Sequence, residues 1–282
     1  MKYTIQDLRR DFPDDAACLA WLVGWLYPEG IFCEKCGKVT PHHAMRTRKS
    51  YSCETCGHHV HPTAGTIFEK SSTPLTLWFE AIFLMTATRS GISAKQLERT
   101  LGVTYKTAWR MFHQIRKMMG DDGQDLSGEV EVDETYIHPD PQKRSTAKPR
   151  NSQVVFGMVE RDGRAKVRNV KSSGVRVLVP EIKENIKAGS TIYSDDHGSY
   201  RLLPRHGYPH GVINHSQRQY VAGNVHTQNV ENFWSNMKRG IKGVYRHVDA
   251  QYLQAYADEY AFRYSNRKHP SMFWALMSRV DK

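Results

Sequence analysis

Residues 225–245 read VHTQNVENFWSNMKRGIKGVY, and their apolar side chains recur at the spacing of a helix. At 3.6 residues per turn, one stripe carries Val230, Phe233, Trp234, Met237 and Ile241. Glu231 and Lys238 fall together on the flank of that stripe. The pattern predicts a helix that buries one face and holds a carboxylate and an ammonium group beside each other. An ordinary core helix with a polar edge has the same pattern, so the upstream sequence decides between the two interpretations.

The composition indicates a polyanionic partner. The 282 residues carry a formal net charge of +11, which nucleic acid would match most simply. The sequence has no apolar run of about 18 residues and no signal-peptide pattern at its N-terminus, so no membrane association is expected. The expected location is the cytoplasm, at the nucleoid if the source is bacterial.

Four of the five cysteines form two C-x-x-C pairs, each followed by a glycine. Two thiolates at such a turn can point at one cation, and two turns complete a tetrahedral site. Cysteines used in this way indicate a reducing compartment. Residues 1–66 are predicted to form one short helical element before residue 28, which Asp14 or Asp15 can cap, and a zinc ribbon. The ribbon would hold one structural zinc ion through Cys33, Cys36, Cys53 and Cys56.

Residues 67–120 are predicted to be all-α, with the layout of a helix-turn-helix. Ser93 and Thr104 are candidate N-caps of two helices, and Gly102 lies in the turn between them. Such a pair of helices either binds the major groove of DNA or forms a plain helical hairpin, and the basic charge and the adjacent ribbon favour DNA. The second helix would present to the groove Tyr105, Lys106, Thr107, Arg110 and Gln114.

Beyond a linker at residues 121–128 the pattern changes to strands. EVEVDETYI alternates apolar and acidic residues, and a turn at residues 161–163 indicates a hairpin. STIYSDD and GVINH predict further strands, and a last helix is expected over residues 250–265. A polar, basic loop at residues 138–152 is expected within reach of phosphates. This order predicts an α/β domain over residues 129–282, with a mixed sheet flanked by helices.

Three carboxylates occupy separate elements of that domain. Asp133 lies in the first predicted strand of that domain, and Asp195 ends a later strand. Glu231 lies on the helix predicted within residues 225–245. Together they can bind two Mg²⁺ or Mn²⁺ ions, which clamp the attacking and leaving oxygens of an in-line displacement at phosphorus. Lys238 is placed to hold a phosphate as a point charge. Because the chain has 29 aspartates and glutamates, the position of each carboxylate relative to the strands carries this prediction.

The chain resembles the insertion-sequence transposases that have an N-terminal zinc ribbon and a ribonuclease H-like DDE domain. The resemblance spans roughly residues 18–270. It rests on CEKCG and CETCG, GTIFEKSSTPLTLWFEAIFLM, GISAKQLERTLGVTYKTAWRM, EVEVDETYI, IYSDDHGSY and HTQNVENFWSNMKRGIKGVYRHV. It implies an enzyme that binds terminal inverted repeats, cuts the element ends by metal-dependent hydrolysis and joins the freed 3′-hydroxyls to target DNA. Double-stranded DNA is then the partner, and pairing two ends implies a homodimer or a higher oligomer.

By matching position, the resemblance makes Asp133 and Asp195 the catalytic aspartates. It makes Glu231 the third metal ligand and Lys238 the basic residue that follows it. His226, which starts the same segment, is a further candidate for contact with DNA. Arg239 is another.

Alternatives remain at these positions. Some members of the family have asparagine as the third ligand, and Asn229 and Asn232 lie close to Glu231. Helical geometry favours Glu231, because Asn232 is rotated about 100° away from it. Asp196 could be the second catalytic aspartate instead of Asp195. Glu134 is the weaker of two neighbouring carboxylates, because successive residues of a strand point to opposite faces.

Two other functions compete with transposition. One is a domesticated DNA-binding regulator without catalysis, against which the intact carboxylates argue. The other is a ribonuclease H-like nuclease, which fits the ribbon and helix-turn-helix less well because structure-specific nucleases need no sequence reader. Tyr245 could in principle attack DNA and form a covalent intermediate, but the carboxylates make that step unnecessary.

Overall fold

The computed structural model of the protein describes residues 3–46, 48–137, 152–213 and 225–281. Most of the expected basic loop at 138–152 and the end of the expected strand at 211–215 lie outside these ranges. The chain forms two compact units. The first comprises Met1–Thr88, Ala94–Met118 and Pro270–Lys282, and the second comprises Arg89–Ser93 and Met119–His269. The domain boundaries expected from the sequence remain predictions.

The described residues form short ribbon strands, α-helices and one larger sheet. The α-helices of the described ranges are α1 (Ile5–Asp11), α2 (Asp15–Leu26), α3 (Leu75–Ala87), α4 (Ala94–Leu101), α5 (Tyr105–Met118), α6 (Val175–Asn185), α7 (Gln228–Gly240), α8 (Leu253–Ser265) and α9 (Met272–Met277). The strands are β1 (Phe32–Cys33), β2 (Lys38–Val39), β3 (His42–Ala44), β4 (Tyr51–Cys53), β5 (His59–Val60), β6 (Glu129–Ile137), β7 (Gln153–Glu160), β8 (Ala165–Val170), β9 (Thr191–Asp195) and β10 (His210–Ile213).

The first unit contains the ribbon and the helical segment. β1 pairs with β2, and β3, β4 and β5 form a second small antiparallel sheet. Gly37 and Gly57 follow the cysteine pairs with φ of 67° and 70°, a conformation that costs glycine least. One helical element was expected before residue 28, whereas the structure has two, α1 and α2. The second begins after Asp14, and the first begins at a capping box in which Thr4 and Asp7 bond each other's backbone amides.

The two helices α4 and α5 are joined by residues 102–104. Gly102 has a φ of 66°, and the Thr104 hydroxyl accepts a hydrogen bond from the Thr107 amide at 3.3 Å. Leu97 of α4 and Phe112 of α5 are buried within the unit. The predicted pair of helices with a glycine in the turn is therefore present.

The second unit is built on a mixed five-stranded sheet in the order β10-β9-β6-β7-β8. β6, β7 and β8 are antiparallel neighbours, while β9 is parallel to β6 and β10 is parallel to β9. Val130 and Val132 of β6 point into the core formed with α6. α7 packs on β6 and β7 from the other face of the sheet. The residues that alternate with these valines point to that face. The expected mixed sheet flanked by helices is confirmed.

The helix predicted within residues 225–245 is shorter than the sequence pattern suggests. α7 ends at Gly240 and continues as one π-helical turn over Ile241–Tyr245. All five apolar stripe residues are buried: Val230, Phe233, Trp234, Met237 and Ile241. The stripe therefore holds α7 against the sheet and fixes the direction in which its polar flank points.

Candidate active site

Two aspartates lie on adjacent parallel strands, Asp133 in the middle of β6 and Asp195 at the last residue of β9. β6 runs parallel to β9 with Glu131 opposite Tyr193. Two residues further along each strand are Asp133 and Asp195, which therefore point to the same face of the sheet. Asp196 is exposed and lies beyond the end of β9. The register, continued two residues beyond its last pair, thus sets Asp133 beside Asp195 rather than beside Asp196.

Negative charge accumulates around this pair. Burial, together with the charges of Glu134 and Asp195, raises the pKa of Asp133 to about 7. Burial also raises the pKa of Glu134, which accepts a hydrogen bond from the Tyr200 hydroxyl in the core on the other face. Asp195 Oδ1 accepts a hydrogen bond from the His197 amide at 3.1 Å. A cluster of carboxylates of this kind opposes its own ionisation, and a bound cation would relieve that repulsion.

The indole of Trp234 orients Asp133. Its Nε1 donates a hydrogen bond to Asp133 Oδ2 at 2.9 Å. The ring lies over Gly157, the residue of β7 directly opposite Asp133. A Cβ at position 157 would come within 2.5 Å of the indole Cζ2. The close approach of Trp234 to the sheet therefore requires glycine at this position.

Replacement of this glycine is expected to destabilise the second unit. In Gly157→Ala the new methyl group displaces Trp234 and weakens its hydrogen bond to Asp133. Overpacking of this kind costs about 1–3 kcal/mol, measurable as a lower denaturant midpoint. Gly243→Ala is the matched control, because nothing lies within 4 Å of the Cβ that it adds. Equal midpoints for the two variants would contradict the tight packing of Trp234 on the sheet.

Lys238 lies one helical turn beyond Trp234. Burial lowers the pKa of Lys238, and the negative charge of Asp133 opposes that shift, so the ammonium group lies within electrostatic reach of the aspartate. Glu231 is exposed on the first turn of α7 and accepts a hydrogen bond from the Thr227 hydroxyl at 2.8 Å. Glu231 and Lys238 therefore share the polar flank that the sequence predicts.

The three expected metal-binding carboxylates are spread over a wider area than one cation would need. Within the ranges that the structure describes, a group of cysteine, histidine or carboxylate ligand atoms all within 4.8 Å of one another occurs only at the four cysteines. Asp133, Asp195 and Glu231 therefore stand farther apart than the ligands of a single ion. Carboxylate oxygens are the kind of donor that magnesium and manganese prefer.

The first amides of α7 converge on the buried carboxylate of Glu131. The Asn229 and Val230 amides donate to Glu131 Oε2 at 2.7 and 3.1 Å, and the Asn229 side chain donates to Oε1 at 2.8 Å. His226 Nδ1 lies 3.0 Å from the same Oε1. Asn229 and His226, considered from the sequence as a metal ligand and a phosphate contact, are thus placed against Glu131.

The other candidates on α7 lie on its exposed side. Asn232 Oδ1 accepts a hydrogen bond from the Asn236 side chain at 3.0 Å. Arg239 Nη2 lies 3.4 Å from Ser235 Oγ, and its side chain is exposed. This placement leaves Arg239 accessible to a large partner.

The four expected zinc ligands come together. Their sulfur atoms all lie within 4.8 Å of one another, with Cys33 3.5 Å from Cys56 and Cys36 3.9 Å from Cys53. The Thr40 hydroxyl, 3.1 Å from Cys53 Sγ, lowers the pKa of that thiol to about 5. A lowered pKa favours the thiolate, which is the form that binds metal. The cluster is a possible zinc site in a zinc ribbon.

The five candidate DNA contacts of α5 differ in exposure. Tyr105 is 47% exposed, with Lys95 Nζ 5.6 Å from its ring centre, and Lys106 is also exposed. Arg110 is exposed but donates a hydrogen bond to the Glu69 carbonyl at 2.7 Å. Thr107 and Gln114 are half-buried. Tyr105 and Lys106 are therefore the most accessible of the five.

Tyr245 takes part in a buried network. Its hydroxyl lies 3.0 and 3.1 Å from the two carboxylate oxygens of Glu259, which is fully buried and also pairs with Arg263 at 2.7 Å. Its ring packs edge-on against Tyr256 at 4.8 Å. These contacts assign Tyr245 a packing role.

Tyr245→Phe is therefore expected to lower stability without abolishing activity. Loss of the hydroxyl removes a hydrogen bond from a buried carboxylate, at a cost of about 1–3 kcal/mol. Denaturant unfolding measures this cost, and a DNA cleavage assay below the unfolding temperature measures the activity. A variant that is stable but inactive in cleavage would instead indicate a tyrosine nucleophile.

Two residues at this site are absent from the sequence-based candidates. Glu131 is visible in the sequence only as one of three acidic residues that alternate along β6. Trp234 belongs to the apolar stripe, and no local signal indicates that its indole reaches Asp133. Both contacts depend on the packing of α7 against β6, which sequence spacing does not specify.

A four-cysteine ribbon followed by a mixed sheet flanked by helices is consistent with the fold of transposases and integrases. The chain belongs to the ISXO2-like transposase family. Residues 125–265 match the ISXO2-like transposase domain, and residues 13–59 match the transposase zinc-ribbon domain. The resemblance to insertion-sequence transposases with an N-terminal zinc ribbon is therefore confirmed.

Two relatives agree with this family. The chain is 26% identical over 252 residues to an uncharacterized protein in transposable element ISH50 of Halobacterium salinarum, covering 80% of this chain and 84% of that protein. It is 28% identical over 114 residues to an uncharacterized transposase-like protein of Haemophilus influenzae, covering 40% of this chain and 89% of that protein.

One solved structure resembles the chain only weakly. A simian T-cell lymphotropic virus intasome, solved with a PP2A regulatory subunit, contains a chain with 11% identity and a TM-score of 0.32. The match covers 59% of this protein and 67% of that chain. A TM-score this low supports no inference. In the described part of the chain, no helix is long and apolar enough to cross a membrane.

Proposed function

We propose that this protein is a metal-dependent DNA transposase with a ribonuclease H-like catalytic domain. It binds the terminal inverted repeats of its element, cuts the element ends and joins the freed 3′-hydroxyls to target DNA. The observation that carries the proposal is the juxtaposition of Asp133 and Asp195 on neighbouring parallel strands, where burial, together with the charges of Glu134 and Asp195, raises the pKa of Asp133. Membership of a transposase family supports the reaction class.

We assign the proposed catalytic roles as follows. Asp133, Asp195 and Glu231 would hold two Mg²⁺ or Mn²⁺ ions, which when bound activate the attacking oxygen and stabilise the leaving 3′-oxygen. Trp234 fixes the orientation of the Asp133 carboxylate through its indole N–H. Lys238 holds the phosphate group as a fixed positive charge beside Asp133.

DNA recognition is assigned to the first unit. The basic net charge of +11 favours a polyanion. α4 and α5 have the connection of a helix-turn-helix, from which exposed Tyr105 and Lys106 would reach a major groove. Binding should weaken steeply with salt because each phosphate contact releases counterions. Two element ends must be held together, so assembly as a homodimer or higher oligomer on DNA is proposed.

The test incubates the zinc-loaded protein with a duplex that carries the flanking inverted repeat, in Mg²⁺, in Mn²⁺ and in EDTA. The proposal expects specific binding in all three conditions, and cleavage followed by strand transfer only with a divalent cation. Specific binding without chemistry in any condition would leave the DNA-binding regulator. Cleavage without strand transfer would favour the nuclease. A scrambled repeat sequence is the control for specificity.

A further inference from the structure

Glu131 is a fully buried carboxylate surrounded by hydrogen-bond donors. None of its surface is exposed. Besides the two amides and the side chain of the first turn of α7, Arg161 Nε donates to it at 3.1 Å, while His226 Nδ1 lies 3.0 Å away without making a hydrogen bond. A buried charge is costly unless it is paired and hydrogen-bonded. The number of donors around Glu131 meets that condition, and most of them belong to α7 or to the residues just before it.

The two backbone donors are the structurally informative ones. The first N–H groups of a helix have no partner within the helix, and the N-terminal end carries partial positive charge. Here the Asn229 and Val230 amides are satisfied by a side chain of a β-strand, at 2.7 and 3.1 Å. Thr227, the residue before α7, makes no side-chain cap. Glu131 therefore caps α7 from the sheet.

We propose that Glu131 is a positioning residue of the active site, which holds the first turn of α7 on β6 and thereby places Glu231 and Trp234 relative to Asp133. This inference rests on the proposed metal-dependent function. The amides that Glu131 binds belong to the two residues directly before Glu231. Displacement of this turn would therefore move the third proposed metal ligand first.

The spacing of the two attachment points supports this role. Glu131 and Asp133 point to the same face of β6, about 7 Å apart at the rise of a strand. Val230 and Trp234, which contact them, are four residues apart on α7, or about 6 Å at the rise of a helix. The two spacings are similar, so α7 is fixed to β6 at two successive points. The first point is Glu131, and the second is Asp133 itself.

Arg161 links this attachment to the turn after β7. Its Nε pairs with Glu131, and Nη2 donates to the His226 carbonyl at 3.2 Å. The guanidinium also stacks on the Tyr193 ring at 4.0 Å. Arg161 therefore balances the buried charge and holds the backbone just before α7.

The test compares Glu131→Gln with Glu129→Gln in the full-length, zinc-loaded protein. Both remove one negative charge from the same face of β6, and Glu129 also contacts Arg161, at 3.4 Å. Mn²⁺ affinity is measured by titration calorimetry, and amide hydrogen exchange is followed over residues 225–240. Loss of groups that orient metal ligands typically costs 10–100-fold in metal affinity. We expect a loss of about that size and faster exchange in α7 for Glu131→Gln, and neither for Glu129→Gln.

The outcomes separate a positioning role from a purely structural one. Glu131→Gln with a lower unfolding midpoint but unchanged Mn²⁺ affinity while folded would overturn the inference. If Glu131→Gln does not fold, Asn229→Ala removes one donor and keeps the charge. A several-fold lower affinity then supports the inference, and an unchanged affinity contradicts it. The proposed function fails independently if wild-type Mn²⁺ binding is absent or insensitive to Asp133→Asn.

Discussion

Asp133→Asn and Asp195→Asn are each expected to abolish DNA cleavage and strand transfer while inverted-repeat binding is retained. Each substitution replaces a charged ligand of the proposed cations with a neutral amide of the same shape. Metal ions stabilise transition-state charge by several kcal/mol, and each 1.4 kcal/mol is tenfold in rate, so a loss on the order of 10³-fold is expected. Single-turnover cleavage of an end-labelled inverted repeat measures it.

Asp196→Asn is the matched control for this experiment. It makes the same change one residue along, at an exposed position beyond β9, and activity should stay within a few-fold of wild type. Loss of activity in Asp196→Asn with retention in Asp195→Asn would contradict the register that places Asp195 beside Asp133. A retained rate in Asp133→Asn would remove the metal-dependent mechanism.

Cys33→Ser is expected to release zinc and unfold the ribbon. The apparent free energy of structural zinc binding in zinc-finger peptides is about 10–16 kcal/mol, which is comparable to the roughly 5–15 kcal/mol that stabilises a typical domain. The short ribbon strands of two or three residues therefore cannot keep the fold without the ion. The zinc content found by metal analysis should fall below about one zinc per chain. Limited proteolysis should cut the variant within residues 31–60.

Cys18→Ala is the control for loss of a cysteine. Cys18 is fully buried in α2, outside the four-sulfur cluster. The variant should keep its zinc and its protease resistance in the ribbon. Cys33→Ser with full zinc content and an intact ribbon would refute the four-cysteine site. A specific loss of inverted-repeat binding in Cys33→Ser, with the second unit still folded, would support the assignment of DNA recognition to the first unit.

Local patterns predicted most of the elements of this protein. C-x-x-C spacing predicted the cluster of four cysteine sulfurs, because both residues of each pair lie on one tight turn. Alternation in EVEVDETYI predicted β6 and placed its valines and acidic residues on opposite faces. The apolar stripe of α7 is buried as expected. The separate helix α1 was missed although the sequence contains its capping box, Thr4 with Asp7.

Contacts that depend on register between distant segments could not be predicted. Asp133 and Asp195 were expected to act together, but the parallel register of β6 and β9 that puts them on one face of the sheet was not predicted, because β7, β8 and α6 separate these strands in the chain. The hydrogen bond from Trp234 to Asp133 depends on how closely α7 approaches Gly157. The role of Glu131 depends on both. Sequence spacing specifies which residues share a face, but it does not specify which face of another element they meet.

The most direct test of the central claim is the location of Mn²⁺ by anomalous scattering in crystals of the protein bound to inverted-repeat DNA. The proposed mechanism predicts two anomalous peaks within bonding distance of the carboxylates of Asp133, Asp195 and Glu231, next to the scissile phosphate. Asp133→Asn should lose at least one of these peaks. Manganese bound elsewhere, with the Asp133–Asp195 pair unligated in a complex that cleaves DNA, would contradict it.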